Sequence, residues 1–547
     1  MGHGGKRRGA LAVTAATVAL GLLVGCAGLP DDDAWTPPAW PDDDAVVPVL
    51  TGPESRSGSQ ADPTEHSASD PVGDPVVNTA VAEVDTAGLI DGRIRNDSAG
   101  LQARYVEVLG ADGFNARVSE ILENAKAGTG VPEWEPEVFD ATAGLADRGC
   151  ATGSTTRPAA ELMADPAFGP TGGAGTAVTC EIVSAFGPVL GVAFRTVTGT
   201  VDAIASDHTE VLFADFEANT GIEATTIWTP AAAAELWEGA VQSLRREAGS
   251  LSAAVLQPPS AQQLAIAEAA LGSARVDDAS IQFTFPAGLT SAELEALDIP
   301  ATAATLAVTI TGTAEALAPE GWLTPEGEQL LSHHGTPFRG VPAWNAAHAV
   351  DCDLVACVAV TYDDGPSGFT AELLDILAAH EAPATFFMLG GAVAGAGDVV
   401  ARAAASGHEL ASHSMTHPDL TSVSTKAARA EVLDAGKLIT EITGQPVTMY
   451  RPPYGALNEE VIDAVKLPAI LWSIDTLDWQ RPGEAELIDR AAVAASPGDI
   501  ILFHDTHADT VNAAGEVLEV LKDRGLTPVT VTQLFEGAVP SGRVSGR

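Results

Sequence analysis

The run Val355-Ala356-Cys357-Val358-Ala359-Val360, continued by Thr361-Tyr362-Asp363-Asp364-Gly365, decides the fold of the last third of the chain. Six consecutive apolar residues predict a strand that is buried on both faces, as strands in parallel sheets are. The two aspartates therefore stand at the carboxyl end of this strand. Sites on β/α folds lie at that end of their strands, so the stretch predicts both a fold and the location of a site.

Helix and strand patterns alternate on the C-terminal side of this run. Residues 371–377 predict a helix, 384–389 a strand and 399–406 a second helix, and the alternation continues to Val529-Thr530-Val531. A complete eight-unit barrel takes about 250 residues, more than are present here. The sequence therefore predicts an α/β fold, a distorted (β/α) barrel with fewer than eight units, over residues 352–539.

Five short polar motifs follow apolar runs in this region. They are Thr361-Tyr362-Asp363-Asp364-Gly365, His413-Ser414-Met415-Thr416-His417, Arg451-Pro452-Pro453-Tyr454-Gly455, Asp475-Thr476-Leu477-Asp478-Trp479 and Leu502-Phe503-His504-Asp505. Strand ends would bring all five to one mouth of the barrel. Together they supply metal ligands, a base, an acid and orienting partners, which favours a hydrolytic enzyme.

His413 and His417 are four residues apart, a spacing that places two imidazoles on one face of a helical turn. Two histidines with one carboxylate form a metal site that keeps open positions for water and substrate. A histidine pair alone is more often incidental. The adjacent aspartates Asp363 and Asp364 at a strand end reverse that balance.

Residues 352–539 resemble the NodB-homology polysaccharide deacetylases, carbohydrate esterase family 4, because all five motifs of that family occur in order. The resemblance implies that Asp364, His413 and His417 bind a divalent metal, usually zinc, although cobalt or another divalent ion can serve. It also implies the distorted barrel fold that the alternation predicts.

The same resemblance assigns catalytic roles. Asp363 would be the base that takes a proton from the attacking water, and Arg451 would keep Asp363 ionised by charge pairing. His504 would protonate the leaving sugar nitrogen, and Asp475 would orient His504 and favour its imidazolium form.

Three further residues would contact substrate. The backbone N–H of Tyr454 would stabilise the oxyanion, and Trp479 and Leu502 would line a small pocket for the acetyl methyl group. Two departures from the family pattern are visible: Tyr362 replaces the commoner Phe, and Ser412 precedes His413 where many relatives have Asn. The second change predicts a different hydrogen bond behind the metal site.

The leading hypothesis is hydrolysis of N-acetyl groups on cell-wall amino sugars, with peptidoglycan N-acetylglucosamine favoured. The alternatives are an O-acetyl (xylan) esterase, a chitin oligosaccharide deacetylase of the same fold, and a non-catalytic wall-binding or sensing lipoprotein. The five motifs do not separate the substrates, because substrate choice lies in the loops around them. A non-catalytic protein should show a substituted ligand or base, and none is found.

The formal charge of −46, from 74 acidic and 28 basic residues, argues against binding to nucleic acid or to an anionic membrane surface by charge. A polysaccharide is the more compatible partner. The 547 residues are too many for one ordinary domain and indicate two or three.

The N-terminus has the pattern of an export signal. Basic residues 6–8 precede the apolar segment Ala10–Val24, which ends in Leu23-Val24-Gly25-Cys26. This pattern resembles the bacterial lipobox and predicts a signal peptide over 1–26 with lipidation at Cys26. The protein would be exported and lipid-anchored to the cell membrane, facing the cell wall. A plain secretory signal with a chance cysteine is the alternative.

Two regions separate this signal from the barrel. Residues 27–78 are rich in Pro, Asp, Ser and Gly, which predicts a disordered tether. Residues 79–345 combine alternating strand patterns with two helical segments, 230–248 and 260–271, and predict an α+β accessory region of one or two domains. Its position and layout are similar to the accessory domains of the anti-sigma-factor RsiV type. Nothing in it identifies a protein partner.

Four cysteines remain beyond Cys26, an even number that favours two disulfides in an exported protein. Three pairings are possible. Cys150–Cys180 with Cys352–Cys357 is favoured because each bridge then lies inside one domain. A four-cysteine metal site is disfavoured by the absence of close Cys-x-x-Cys spacing.

Overall fold

The computed structural model describes residues 47–51, 84, 86–248, 256–277, 280–303, 305–312 and 317–547. The predicted signal peptide, its lipidation residue Cys26 and most of the predicted tether lie outside these residues. Strand β1 (Val47–Thr51) is an exception, because its backbone pairs antiparallel with residues 307–311. For these five residues the prediction of a disordered tether is wrong; the run Val47-Pro48-Val49-Leu50 is apolar enough for an edge strand.

The first part of the accessory region is a six-stranded sheet with the order β2-β3-β4-β5-β6-β7. The strands are β2 (Leu89–Asn96), β3 (Leu101–Val108), β4 (Ala174–Phe186), β5 (Val189–Thr200), β6 (Ala203–Asp215) and β7 (Thr220–Glu223). Helix α1 (Asp112–Gly128) packs on one face of this sheet through Phe114, Val118 and Ile121. The short helix α2 (Ala159–Ala164) packs on the middle strands β4 and β5, where Leu162 and Met163 share a cluster with Ala177 and Val197. The disulfide Cys150–Cys180 ties the loop between α1 and α2 to β4.

The second part covers the opposite face of that sheet. Its members are α3 (Pro230–Glu247), α4 (Ala261–Leu271), β8 (Arg275–Val276), β9 (Ser280–Phe285), α5 (Ala292–Glu295), β10 (Leu306–Thr311) and α6 (Pro325–Leu331). Strands β8, β9 and β10 join β1 in a four-stranded sheet. Phe213 of the first sheet shares one apolar cluster with Trp237 and Phe283 of the second part. Helices α3 and α4 lie where the sequence predicts the helical segments 230–248 and 260–271.

Residues from 357 onward alternate strands and helices as predicted. The elements are β11 (Cys357–Asp363), α7 (Thr370–Ala379), β12 (Thr385–Met388), α8 (Gly390–Val393), α9 (Gly397–Ala405), β13 (Glu409–Ser412), α10 (Thr425–Thr443), α11 (Glu459–Val465), β14 (Ala469–Ile470), β15 (Ile474–Asp475), α12 (Glu484–Ile488), β16 (Ile500–His504), α13 (Ala508–Asp523), β17 (Thr527–Val529), α14 (Val531–Leu534) and β18 (Arg543–Val544).

The strands of this C-terminal region, residues 352–547, are parallel, in the order β13-β12-β11-β16-β15, and β17 pairs with the beginning of β11. Isolated bridges join Ser412 to Tyr450 and Tyr450 to Ala469. Strand β18 pairs with β14, so the fold extends past the predicted boundary at Val539. The chain is therefore α/β here, as predicted.

The six-stranded accessory sheet packs against the N-terminal ends of the parallel strands of the C-terminal region. Val178 and Leu190 of the accessory sheet share one apolar cluster with Cys357 and Ala359 of β11, Ile500 of β16 and Val529 of β17. The disulfide Cys352–Cys357 lies at the same end, and both predicted disulfide pairings are confirmed.

Candidate metal centre and active site

The site begins with the alternation of side chains along β11 and β16. Val360, Tyr362 and Phe503 pack outward in the cluster beneath the helices. Because successive side chains of a strand point to opposite faces, Asp363 and His504 point inward. The two residues are direct partners in the parallel register of β11 and β16. The predicted base and acid are thus brought side by side at one strand end.

Asp364, His413 and His417 converge at this end, and their ligand atoms lie within 4.8 Å of one another. Asp364 Oδ1 lies 3.5 Å from His413 Nε2 and 3.3 Å from His417 Nε2. This oxygen is buried, and no described residue donates a hydrogen bond to it. An orphaned carboxylate oxygen facing two imidazole nitrogens fits a divalent cation.

His413 is prepared as a neutral ligand. Its Nδ1–H donates to the Arg451 carbonyl at 2.9 Å, which leaves the Nε2 lone pair for a cation. Burial lowers the pKa of His413 to about 3, so the ring is unprotonated at neutral pH. The backbone carbonyl of Arg451 therefore supports a ligand while its guanidinium has a different partner.

That partner is Asp363, whose Oδ1 accepts from Arg451 Nη1 at 2.8 Å. The fully buried guanidinium also donates to Thr361 Oγ1 and to the carbonyls of Ile470 and Leu471, at 2.8 to 3.2 Å. Burial raises the pKa of Asp363 above that of an ordinary carboxyl, and the positive charge of Arg451 opposes this shift without cancelling it. Arg451 thus makes the predicted contact but only moderates the effect of burial.

His504 is oriented by Asp478. The His504 Nδ1–H donates to Asp478 Oδ1 at 2.7 Å, and the backbone N–H of His504 donates to Oδ2, also at 2.7 Å. Thr510 Oγ1 donates to the same carboxylate. Burial acts to lower the pKa of His504, but the hydrogen bond and charge of Asp478 outweigh it and raise this pKa to about 9. His504 is therefore an imidazolium at neutral pH.

The predicted orienting role of Asp475 is wrong. Asp475 ends β15, and its carboxylate accepts from the backbone N–H of Leu477 at 2.9 Å. The chain then turns through Leu477, whose φ is 53°, and this turn brings the buried Asp478 to His504. Both aspartates belong to one motif, so the sequence offered the correct residue without distinguishing it from its neighbour.

The three residues predicted to contact substrate, Tyr454, Trp479 and Leu502, differ in their solvent exposure. The Tyr454 side chain is 73% exposed and its ring meets the His417 ring edge to face, with centroids 4.6 Å apart. Trp479, which follows Asp478, is 54% exposed. Leu502 is buried on β16, two residues before His504 and on the same face of the strand. Two of the three residues are therefore exposed aromatic residues, and the third is a buried apolar residue.

Several residues at the site have left-handed backbone conformations that side chains usually avoid. They are Asp364, Ser414, His417, Tyr454 and Leu477, with φ between 53° and 72°. Each costs on the order of 1 kcal/mol or more and persists only where the surroundings impose it. Their concentration around one cluster of ionisable groups is typical of a functional site.

Asp505 is a buried site residue that the sequence did not single out. Its Oδ2 accepts from Thr370 Oγ1, and no described residue donates to its Oδ1. Burial and the neighbouring carboxylates Asp364 and Asp363 raise its pKa to about 6. A Cβ on Gly365 would lie 2.4 Å from the Asp505 carboxylate, so this approach requires glycine. The adjacency of Asp505 to His504 was the available signal.

Comparison with known proteins matches residues 352–468 to the family described as polysaccharide deacetylase. Over 150 residues, 27% of this chain and 70% of the relative, the chain is 43% identical to a chitooligosaccharide deacetylase of Rhizobium leguminosarum bv. trifolii. The chain belongs to the polysaccharide deacetylase family.

Two peptidoglycan deacetylases are also similar. Peptidoglycan-N-acetylglucosamine deacetylase PgdA of Listeria monocytogenes is 37% identical over 34% of this chain and 40% of the relative. Peptidoglycan-N-acetylmuramic acid deacetylase PdaC of Bacillus subtilis is 37% identical over 33% of this chain and 38% of the relative. The solved structure of PdaC covers 34% of this chain and 93% of its own, at 36% identity and a TM-score of 0.33. The chain thus spans about two fifths of the length of PgdA and PdaC.

The predicted membrane attachment involves residues outside the described part. Among the residues that the structure describes, no helix combines the length and the apolar character needed to cross a membrane.

Proposed function

We propose that the chain is a metal-dependent hydrolase that removes N-acetyl groups from cell-wall amino sugars, with peptidoglycan N-acetylglucosamine as the preferred substrate. One observation carries the proposal: the orphaned Asp364 oxygen and two histidines stand beside a buried Asp363–Arg451 pair and a separate His504–Asp478 pair. These are a cation site, a base and an acid within one strand-end cluster.

Asp364, His413 and His417 would hold the metal, for which we propose zinc or another divalent ion such as cobalt. Such an ion lowers the pKa of water and polarises a carbonyl. Asp363 accepts the proton of the attacking water, and Arg451 holds the Asp363 carboxylate in place from the opposite side. The raised pKa of Asp363 makes it a stronger proton acceptor than an ordinary aspartate.

His504 delivers a proton to the leaving nitrogen. Its pKa of about 9 keeps it protonated at neutral pH. A sugar amine needs that proton more than a sugar alkoxide formed from an ester, so an acid of this kind favours amide over ester hydrolysis. The N-acetyl substrate is therefore favoured over the O-acetyl (xylan) alternative. The unsubstituted ligand set also argues against a non-catalytic wall-binding or sensing protein.

The exposed faces of Tyr454 and Trp479 suit sugar rings, and Leu502 suits the acetyl methyl group. The names of the similar proteins point to amino-sugar polymers, of peptidoglycan or chitin type. We also propose that the catalytic region is a distorted barrel of fewer than eight units. The lipid anchor at Cys26, export to the outer face of the membrane and an RsiV-like accessory region belong to the same proposal.

The test is acetate release by the purified protein from peptidoglycan, N-acetylglucosamine oligomers and acetylated xylan. Release from the amino-sugar substrates should stop on chelation and return with zinc or cobalt. His413→Ala should abolish it, whereas Glu441→Ala, an exposed change on α10, should not. Full activity after thorough metal removal, or release from xylan alone, would contradict the proposal.

A further inference from the structure

The side chain of Glu431, on helix α10, contacts the segment between His413 and His417. The Glu431 Oε2 accepts from the backbone N–H groups of Met415 and Thr416, at 2.9 and 2.8 Å. The other oxygen, Oε1, accepts from Thr416 Oγ1 at 2.9 Å. One carboxylate therefore fixes both residues at the centre of the His413–His417 segment.

The segment needs such support because its backbone is unfavourable. Ser414 has a φ of 72° and His417 a φ of 58°, and residues other than glycine hold these angles only where neighbours impose them. The N-terminal half is anchored separately: the His413 N–H donates to the Met388 carbonyl, and the Ser412 hydroxyl donates to the Val432 carbonyl. Ser412 thus ties the start of the segment to helix α10.

The two histidines differ in how they are held. His413 is buried and its ring is fixed by the Arg451 carbonyl. The His417 side chain is 24% exposed, and its ring contacts Tyr454 and His413. The His417 N–H donates to Ser414 Oγ, a bond within the segment itself. The position of His417 consequently depends on the fold of the segment, which Glu431 fixes.

We propose that Glu431 is a positioning residue for the metal centre, acting through Met415 and Thr416 to hold His417 against Asp364. This inference rests on the proposed metal-dependent function and adds a residue outside the five motifs. Glu431 does not touch the ligands and would act through the backbone. The helix that carries Glu431 is itself stabilised at its start, where the Ser424 side chain accepts from the backbone N–H of Ala427.

The experiment measures zinc binding to the full protein, by calorimetry with zinc alone, in the wild type and in variants. Glu431→Ala should weaken the zinc affinity about 10- to 100-fold, the range for groups that orient metal ligands. Glu431→Gln should stay within about threefold, because the amide oxygen can accept both N–H groups while its NH2 faces the Thr416 hydroxyl. Glu441→Ala is the matched control on the same helix, where the exposed Glu441 pairs with Lys437.

A readout on the metal-free protein separates positioning from catalysis. In Glu431→Ala the Met415 and Thr416 amides should exchange hydrogen about tenfold faster, and the Gln variant should restore slow exchange. The visible spectrum of the cobalt-loaded protein should change in Glu431→Ala, since His417 would be displaced, and stay unchanged in the Gln variant.

Wild-type zinc affinity in Glu431→Ala would overturn this inference and leave the deacetylase proposal intact. Equal weakening in the Ala and Gln variants would also overturn it, because charge rather than hydrogen bonding would then be responsible. If the wild-type protein bound no zinc or cobalt, the proposed metal site would fail first and this inference with it.

Discussion

The two ends of strand β11 have opposite characters. At the N-terminal end, Cys357 and Ala359 lie in an apolar cluster shared with the accessory sheet. At the C-terminal end, Asp363 and Asp364 stand among buried charges, left-handed residues and carboxylate oxygens to which no described residue donates a hydrogen bond. Apolar burial stabilises, whereas strain and unpaired polar groups destabilise. One strand therefore joins a stabilising end to a reactive end.

Hydrogen bonds also join the accessory region to the C-terminal region at the N-terminal end of β11. Trp134 Nε1 donates to the Leu354 carbonyl, and the Arg148 guanidinium donates to the carbonyls of Lys522 and Leu526 and to Thr527 Oγ1. The accessory region thus braces the catalytic strands from the side opposite to the site. Changes at the reactive end should alter rate with little loss of stability, and changes at the braced end should do the reverse.

The largest effect is expected for Asp478→Asn, measured against Asp475→Asn. Asp478 orients His504 and raises its pKa, so its amide should lower kcat at least 10²-fold, as in other histidine–carboxylate pairs. Asp475 makes a local turn bond, and its amide should stay within about fivefold of wild type. Acetate release and thermal unfolding are measured on both. A greater loss in the Asp475 variant would restore the role that the sequence suggested.

The pH dependence of kcat/KM should report the same pair. The pKa of His504 is raised to about 9, so its acid form persists through neutral pH, and kcat/KM should fall about tenfold per pH unit above that value. Removing the Asp478 charge should move this limb to lower pH, because burial alone lowers the pKa of a histidine. A bound divalent cation shifts both proteins downward, so the difference between them is the quantity to measure. An unmoved limb would exclude His504 as its origin.

At the braced end, Arg148→Ala should cost about 3 kcal/mol of unfolding free energy, since buried carbonyls lose a charged donor. The control is Arg339→Ala, whose exposed pair with Glu217 should be worth less than about 1 kcal/mol. Urea unfolding gives both values, and acetate release should remain near wild type in both. A fall in kcat in the Arg148 variant, with the protein still folded, would show that the two ends are not independent.

Much of this comparison was predictable from the sequence. The apolar run before Asp363 predicted a buried parallel strand, and the spacing of His413 and His417 predicted the ligand pair that the structure brings to Asp364. Local pattern and residue type suffice for such features, because each involves only a few consecutive residues. The helical turn expected for His413 and His417 is wrong, since the segment after β13 is a loop with left-handed residues at Ser414 and His417. The separation of the reactive aspartates from the N-terminal cluster also follows from their order along β11.

Other features depend on how distant segments meet. The choice between Asp475 and Asp478 depends on a turn at Leu477. Glu431 contacts Met415 from helix α10, which follows the His413–His417 motif along the chain. The edge strand at Val47–Thr51 pairs with residues more than 250 positions away. The polar residues around Val47–Thr51 indicated a disordered tether, but pairing with β10 gives these five residues a strand conformation.

The smallest effect is expected from the Cys352–Cys357 bridge, which lies at the N-terminal end of β11. It closes a loop of five residues, so the chain-entropy model gives about 2 kcal/mol of stabilisation, against about 3.5 kcal/mol for the separation of 30 in Cys150–Cys180. Replacing both cysteines of each pair by serine, in two separate variants, should reproduce this order in urea unfolding. Because the bridge lies at the braced end, kcat and zinc affinity should stay within about twofold of wild type. Loss of zinc affinity on removing Cys352–Cys357, without loss of stability, would mean that strain at one end of β11 is transmitted to Asp364 at the other.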